Sequence, residues 1–251
     1  MKVVIAIPAR NSEKTLETTF NEIPLRYRNC VILSDDGSTD STSKIAHKLG
    51  IKVFKNSAKY GYGSNLKNCF KNALNEGAEI VIILHSDNQY DATKIPALAN
   101  LIEEGKTEFV IGSRILGDKA NGMSAFRFFG NRTLGFAENF VMGTKLTDLH
   151  SGLIAVKADL LRSVPFELNS DDYGFHTDLI LQSHYAGARF AEVGIPTRYD
   201  NISTSISIYK SIVYGFDMLI TLSKYMLHKY GIKKIPQFSI KKLNRVRKFY
   251  I

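Results

Sequence analysis

The sequence has little cysteine. Its 251 residues include two cysteines, Cys30 and Cys69, and neither belongs to a CxxC pair or to a Cys/His spacing that binds metal. This argues against a disulfide scaffold and against a zinc–cysteine site, so we expect two buried free thiols in a reducing compartment. The composition, 44% hydrophobic and 23% charged, is that of one large globular domain or a domain with an appendage.

Two common nucleotide-binding motifs are also missing. Neither GxGxxG nor GxxxxGK[ST] occurs, which argues against dinucleotide and P-loop sites. No secretory signal precedes the first apolar run, because Val3 to Ile7 follows Met1 and Lys2 directly and Pro8 ends it. We therefore expect the chain to start folding at residue 3 and to stay in the cytoplasm.

Acidic residues are absent from the carboxyl-terminal end. After Asp217 the sequence has nine Lys and Arg and no Asp or Glu, so the preceding residues are neutral and the net charge of +9 belongs to this end. A basic tail of this kind attracts anionic membrane surfaces or nucleic acid.

Strand-like and helix-like patterns alternate through residue 112. This alternation predicts an α/β fold with a mostly parallel central sheet flanked by helices. The run Ile80 to Leu84 is apolar throughout and four of its five residues are β-branched, which predicts a central strand buried on both faces.

Polar residues follow this strand abruptly. Open α/β sheets bind ligands at the carboxyl ends of their strands. Asp87 and Gln89 lie there, and both offer oxygen to a hard divalent cation that also binds substrate phosphates. The alternative is a polar loop in which Asp87 caps the next helix.

A second acidic pair, Asp35 and Asp36, follows the strand at residues 30–34. Adjacent carboxylates repel each other, which suggests that an external group such as a ribose hydroxyl or a base donor uses them. The residues after them, Ser38 to Asp40, are typical of a turn and helix cap.

The segment 206–228 is long and apolar, but charged residues recur in it every seven positions. Lys210, Asp217 and Lys224 share this spacing with Tyr214, Thr221 and His228. The pattern predicts an amphipathic helix with one polar face, packed either on the preceding domain or on a bilayer interface. The basic tail favours the membrane surface.

The motifs, taken in order, resemble those of family-two glycosyltransferases with the GT-A fold. They are most similar to the polyprenyl (dolichyl) phosphate sugar synthases, over about residues 3–200. The segments that carry the resemblance are Ile7 to Asn11, Asp35 to Asp40, His85 to Tyr90, Gly112 to Arg114, Thr147-Asp148, Ser151-Gly152 and Asp178.

The resemblance implies inverting sugar transfer from a nucleotide-diphospho sugar, UDP- or GDP-linked, to a polyprenyl phosphate. It places Mg²⁺ or Mn²⁺ on Asp87 and Gln89, and catalytic roles on Asp87, Arg114 and Asp178. The donor nucleotide would contact Pro8, Arg10, Asn11, Asp35, Asp36, Ser86 and Asp87. Basic groups near the acceptor phosphate or the donor diphosphate would be Arg114, Arg127 and Arg198.

This chain departs from the family pattern at three positions. His85 replaces the first acid of the usual Asp-x-Asp, which bears on metal dependence, and Arg10 and Ser12 replace a tyrosine and a glutamate, which leaves uracil or guanine open as the base. A hydroxyl acceptor on a glycan or lipid-linked sugar is an alternative, with Asp178 or His176 as general base. A nucleic-acid-binding module is a weaker alternative, because the acidic strand ends would repel phosphates.

The expected domain organisation has a GT-A catalytic domain at 1–204, followed by an amphipathic helix and a basic tail at 205–251. We expect a protein on the cytoplasmic face of the membrane, held by contact between the tail and anionic lipid, with no nucleic acid partner.

Overall fold

The structure is a computed structural model of the 251-residue chain that describes residues 1–118, 125–198 and 208–240, and the side chains in these ranges except those of 125–127 and 208–213. The expectations about the Arg127 side chain, the boundary at 204/205 and the tail from residue 241 lie outside the described residues.

The described strands form one seven-stranded sheet with the order β3-β2-β1-β4-β6-β5-β7. The strands are β1 Val3–Ala9, β2 Val31–Asp35, β3 Lys52–Lys55, β4 Ile80–Ile83, β5 Phe109–Ser113, β6 Ile154–Lys157 and β7 Phe190–Gly194. Only β6 runs antiparallel to its neighbours, β4 and β5. The predicted mostly parallel sheet is therefore confirmed.

β4 is the strand from which the sheet is organised. It lies between β1 and β6, and its four residues are completely buried. Parallel pairing with β1 and β2 brings the carboxyl ends of these strands to one edge of the sheet. Because β6 alone is reversed, β5 and β7 also end at this edge and β6 begins there.

Helices cover both faces of the sheet. They are α1 Leu16–Glu22, α2 Leu25–Arg28, α3 Thr42–Lys48, α4 Tyr62–Asn75, α5 Ile95–Glu103, α6 Arg114–Asp118, α7 Ala125–Met142, α8 Ala158–Ser163, α9 Phe175–Tyr185 and α10 Ile208–Lys229. One hydrophobic core joins the sheet to α4, α7, α8, α9 and α10. The other joins it to α1, α2, α3 and α5.

The predicted carboxyl-terminal helix is present as α10, but its polar stripe is not a single solvent face. Asp217 and Lys224 are exposed, whereas Thr221 is buried and the Tyr214 hydroxyl bonds inside the protein. The stripe lies at the border of the packed surface, where inward hydroxyls find buried polar partners. Among the described residues, no helix combines the length and hydropathy needed to cross a membrane.

The two cysteines differ in their surroundings. Cys69 is fully buried in α4, and burial raises the pKa of its thiol. Cys30 is only half-buried, because it precedes β2 in a turn at the edge of the fold, so the expectation of two buried thiols was wrong for this residue. Both are free thiols, as predicted.

Candidate active site

The loops after β1 and β4 are joined through Ser86. Its Oγ lies 2.7 Å from Ser12 Oγ and donates to the Pro8 carbonyl at 3.2 Å, and the Ser86 carbonyl accepts from Thr15 Oγ1 at 2.6 Å. The two bonds of Ser86 Oγ are buried and the bond from Thr15 is partly buried, and together they satisfy polar groups at two strand ends. Pro8 and Ser86, both predicted at the nucleotide, thus lie at the expected edge, where Ser86 fixes one loop against the other.

Asn11 connects the loops after β1 and β2. Its φ of 51° lies in the left-handed region, which asparagine tolerates better than most residues. In this conformation its Oδ1 accepts from the Thr39 N–H at 2.9 Å, and its own N–H donates to Ser38 Oγ at 2.9 Å. Arg10, one residue earlier, is exposed at the same edge.

The pair Asp35 and Asp36 is satisfied inside the protein. Asp35 accepts from the Ser38 N–H at 2.8 Å and from Ser43 Oγ. Asp36 accepts from the Tyr60 N–H at 2.8 Å and from the Gly61 N–H at 3.2 Å. Donors from other parts of the chain hydrogen-bond to both carboxylates, so their adjacency does not by itself require an external group. Their contact with the nucleotide stays a prediction.

Asp87 is the acidic group that the edge leaves available. It is half-buried after β4, and its Oδ1 accepts from the Gln89 N–H at 3.2 Å. The described residues contain no group of three or more His, Cys, Asp or Glu side chains that could hold a metal ion. One carboxylate and one amide still fit Mg²⁺, which commonly takes one or two protein oxygens and completes its shell with water and phosphate.

Arg198 reaches the same loop from the far end of the sheet. Its N–H donates to the Gln89 carbonyl at 3.0 Å, and its Nη1 donates to Asn88 Oδ1 at 3.3 Å. Nη1 also pairs with Glu22 at 2.7 Å on the exposed surface. The structure therefore brings Arg198 beside the predicted metal loop, and its place near the acceptor phosphate or the donor diphosphate stays a prediction.

His85, at the position of the usual first acid, is turned to another partner. Its Nε2 lies 3.0 Å from the Tyr62 hydroxyl, which is also 2.7 Å from His176 Nε2. The pKa of His176 is lowered to about 3, mainly by burial and to a smaller extent by the nearby imidazoles of His85 and His150. The ring of His85 also rests on Gly152, where an added Cβ would be 2.7 Å from Nε2.

Arg114 is held in a buried ion pair. Its Nε donates to Asp148 Oδ2 at 2.7 Å and its Nη2 donates to Asp148 Oδ1 at 2.8 Å. Burial opposes the charge on Asp148, but the charge and hydrogen bonds of Arg114 outweigh it and lower the pKa of the carboxyl. The guanidinium group of Arg114 therefore binds a carboxylate of this chain, because the loop that contains Asp148 lies at the end of β5. A contact of Arg114 with phosphate stays a prediction.

A second buried polar cluster lies beside this ion pair. Glu138 on α7 accepts from Thr177 Oγ1 at 2.9 Å and lies 3.4 Å from His150 Nε2. The Tyr214 hydroxyl on α10 is 2.8 Å from His150 Nδ1 and 3.3 Å from Thr177 Oγ1. Four side chains from three helices and one loop thus meet next to Asp148, where Glu138 Oε2 and His150 Nε2 face each other without a hydrogen bond.

A profile of the family described as glycosyl transferase family 2 matches residues 4–164, which include β1 to β6 and the loops at the edge described above. The match covers more than half of the chain. The protein belongs to glycosyl transferase family 2.

Similar proteins include two glycosyltransferases whose names contain dolichyl or undecaprenyl phosphate. The UDP-N-acetylglucosamine–dolichyl-phosphate N-acetylglucosaminyltransferase of Methanococcus voltae is 26% identical over 86% of this chain and 95% of its own. The undecaprenyl-phosphate mannosyltransferase of Micrococcus luteus is 26% identical over 78% of this chain and 83% of its own.

The fold is shared with solved structures. Glucosyl-3-phosphoglycerate synthase from Mycobacterium tuberculosis, solved with Mn²⁺, UDP and glucosyl-3-phosphoglycerate, superposes with a TM-score of 0.69 at 20% identity. The match covers 89% of this chain and 79% of that one. At this identity the likeness shows the GT-A fold alone, and it confirms the predicted fold class.

In this family 2 glycosyltransferase the predicted catalytic residue Asp178 lies away from Asp87. It accepts from the Ser170 N–H at 2.8 Å, and its carboxylate faces Thr221 and Gln237, where burial raises its pKa. His176, two residues earlier, points about 200° away around α9. The structure therefore brings His176, but not Asp178, to the end of β4.

Sequence reasoning did not assign a role to four residues of the polar clusters beside the candidate site: Tyr62, Glu138, His150 and Tyr214. Glu138 carried a usable signal, because a carboxylate inside the apolar α7 needs a buried partner. Tyr62 and Tyr214 had no local signal, since aromatic residues at helical spacing are normally core. Their partners His85 and His150 are brought near only by the fold.

Proposed function

We propose that this glycosyltransferase moves a sugar, with inversion at the anomeric carbon, from a nucleotide-diphospho sugar to a polyprenyl or dolichyl phosphate. The observation that carries the proposal is the half-buried Asp87 at the end of the central strand, with Gln89 and Arg198 beside it. The M. voltae and M. luteus relatives, named for dolichyl and undecaprenyl phosphate, support the acceptor class.

Asp87 and Gln89 would hold Mg²⁺ or Mn²⁺ on the donor diphosphate. A divalent ion there would neutralise charge that builds on the departing nucleoside diphosphate. His85 is not assigned to this ion, because its Nε2 is already paired with Tyr62. The exposed Arg10 with Asn11, and the loops held by Asp35 and Asp36, would surround the nucleoside.

The transfer itself needs one bond to form and one to break. An oxygen of the acceptor phosphate attacks the anomeric carbon while the bond to the nucleoside diphosphate breaks, and the leaving oxygen takes the electron pair. A phosphate monoester has a second pKa of about 6 and is already a nucleophile at neutral pH. The residues at this edge therefore position the two substrates and need not remove a proton.

The buried positions of His176 and Asp178 favour a phosphate acceptor over a hydroxyl acceptor. A hydroxyl would need a general base within hydrogen-bond reach. Of the two candidates, His176 is bonded to Tyr62 and Asp178 faces α10.

Asp87→Ala is expected to reduce transfer from a UDP- or GDP-sugar to a short-chain polyprenyl phosphate by about a hundredfold or more, the scale of losing one leaving-group stabiliser. Transfer is measured with each donor, with and without Mn²⁺. Asp159→Ala is the control, because Asp159 is an exposed carboxylate on α8. Full activity of the Asp87→Ala variant would contradict the assignment of Asp87 to the metal. Transfer by the wild type to hydroxyl acceptors alone would contradict the proposed phosphate acceptor.

A further inference from the structure

The helices α7 and α10 pack side by side on the same core. A Cβ on Gly215 would lie 3.8 Å from Leu134 Cδ2, and Lys229 Nζ donates to the Val141 carbonyl at 3.2 Å. Both helices also bury one side in the core shared with α4 and α9. The residues that face this core are Leu134, Ala137, Val141 and Met142 on α7 and Met218, Leu222 and Tyr225 on α10.

The opposite side of both helices is exposed and mostly apolar, with Asp217 as an exposed acidic residue on α10. We call it the outer apolar face, and it comprises Phe129 (68% exposed), Phe136 (73%), Phe140 (80%), Phe216 (65%), Leu219 (49%) and Ile220 (53%). The α7 phenylalanines are seven and four residues apart, which places them in one stripe along the helix. A patch of large apolar side chains on neighbouring elements marks an interaction surface, whereas single exposed ones are ordinary.

Positive charge borders the outer apolar face. Lys224 lies on the exposed surface of α10, and Lys229, Lys233 and Lys234 are exposed at its carboxyl end. No acidic residue follows Asp217 in the sequence to neutralise them. A phenylalanine-rich surface with lysines at its border matches a bilayer, where aromatic rings enter the headgroup boundary and ammonium groups meet lipid phosphates.

The same helix α7 connects this face to the cleft beside the buried Arg114–Asp148 pair. Phe128, Asn131 and Arg132 line that cleft from α7, and the loop 147–150 lines it from the sheet. Contact of the outer apolar face with a surface would therefore bring the cleft close to that surface.

We propose that the outer apolar face docks on an anionic lipid bilayer. The six apolar side chains enter the interface and the lysines contact anionic headgroups. A second copy of this chain fits less well, because its own lysines would face those of the first. The proposal goes beyond the proposed function, since it concerns the protein and bulk lipid and does not depend on which sugar or acceptor is used.

Phe136→Ser/Phe140→Ser and Phe216→Ser/Ile220→Ser test the apolar part. Each is expected to lower the partition coefficient onto vesicles of phosphatidylcholine mixed with phosphatidylglycerol by about tenfold or more, because two apolar side chains no longer leave water. The measurement is sedimentation of the full chain with acceptor-free vesicles. Leu25→Ser is the control, because Leu25 is 77% exposed on α2, which packs on the other core.

Lys233→Glu/Lys234→Glu tests the charge. It is expected to weaken binding to the mixed vesicles by about tenfold or more and to have little effect on pure phosphatidylcholine vesicles. Vesicle binding that is unchanged in both apolar variants would overturn the proposal. The proposal would also be overturned if the wild type does not bind vesicles but forms a dimer in ultracentrifugation, and if the apolar variants are monomers.

Transfer to a soluble short-chain polyprenyl phosphate separates this proposal from the proposed function. Variants that lose vesicle binding but keep this transfer support docking and the reaction together. Vesicle binding by a protein that transfers no sugar to the phosphate leaves docking intact and rejects the acceptor.

Discussion

Individual side chains at the sheet edge divide into those that hold loops and those that remain available to a ligand. Asp35, Asp36 and Ser86 are buried and form hydrogen bonds with neighbouring loops. Asp87 and Arg10, by contrast, reach solvent. Several of the polar residues that the sequence analysis predicted at the site therefore hold the loops of this edge together. Asp87 differs because the loop after β4 supplies it with a single N–H.

Gly152→Ala is expected to destabilise the fold by about 1–3 kcal/mol, the usual cost of overpacking a tight interior. The new Cβ would be 2.7 Å from His85 Nε2, so the imidazole must move and its bond to Tyr62 weakens. Urea unfolding followed by circular dichroism measures the change, and sugar transfer should fall with it.

Gly130→Ala is the matched control for this substitution. Gly130 lies in α7 with no described atom within 4 Å of an added Cβ, and alanine in a helix is about 0.5–1 kcal/mol more favourable than glycine. Equal effects of the two substitutions on the free energy of unfolding would show that the contact between Gly152 and His85 leaves room for a Cβ.

At the scale of elements, α7, α9 and α10 are connected by one polar cluster. Glu138, Thr177 and Tyr214 come from these three helices and meet at His150. Burial raises the pKa of Glu138, and the nearby His150 opposes this rise. Hydrogen bonds through Thr177 and Tyr214 couple the positions of the three helices, whereas Glu138 Oε2 and His150 Nε2 have no hydrogen-bond partner among the described residues.

Tyr214→Phe is expected to lower the free energy of unfolding by about 1–3 kcal/mol, because His150 Nδ1 loses its buried partner. Tyr230→Phe serves as the comparison, since Tyr230 is 70% exposed after α10 and surface changes usually stay within about 0.5 kcal/mol. Equilibrium urea unfolding of both variants gives the difference. A Tyr214→Phe protein as stable as Tyr230→Phe would mean that the cluster does not hold α10.

At the scale of the whole molecule, burial of neutral imidazole makes stability depend on pH. The pKa of His176 is lowered to about 3, chiefly by burial, so the folded protein excludes a proton that the unfolded chain binds below about 6.5. Stability is therefore fully present above this ordinary value and is lost as pH falls from about 6.5 towards 3.

His176→Gln should flatten this dependence. Because the variant takes up one proton fewer than the wild type when it unfolds, the slope of its unfolding free energy against pH is lower by about 1.4 kcal/mol per pH unit between about pH 6 and 4. Urea unfolding at a series of pH values measures the slope, and glutamine keeps an oxygen for the Tyr62 hydroxyl. His47→Gln is the control, because His47 is exposed on α3. Parallel slopes for all three proteins would exclude His176 as the source.

The sequence by itself determined the α/β class, the central strand β4, the helix α10, and the edge at which Asp87 lies. These follow from local patterns: side-chain periodicity, β-branched runs and the abrupt polar turn after a strand. The internal hydrogen-bond partners of Arg114, Asp35 and Asp36 could not be predicted in this way, because each depended on which donor or acceptor another segment of the chain would supply. The ligand contacts of these residues stay predictions.

Only the tertiary structure decided those pairings. Asp148 lies 34 residues from Arg114, and Tyr62 lies 114 residues from His176, yet each pair is within hydrogen-bond distance. The outer apolar face could not be predicted for the same reason, since apolar residues lie on both sides of the polar stripe of α10 and only the packing shows which of them stay exposed. Residue type sets what a side chain can do, and the three-dimensional neighbours determine which of these possibilities is used.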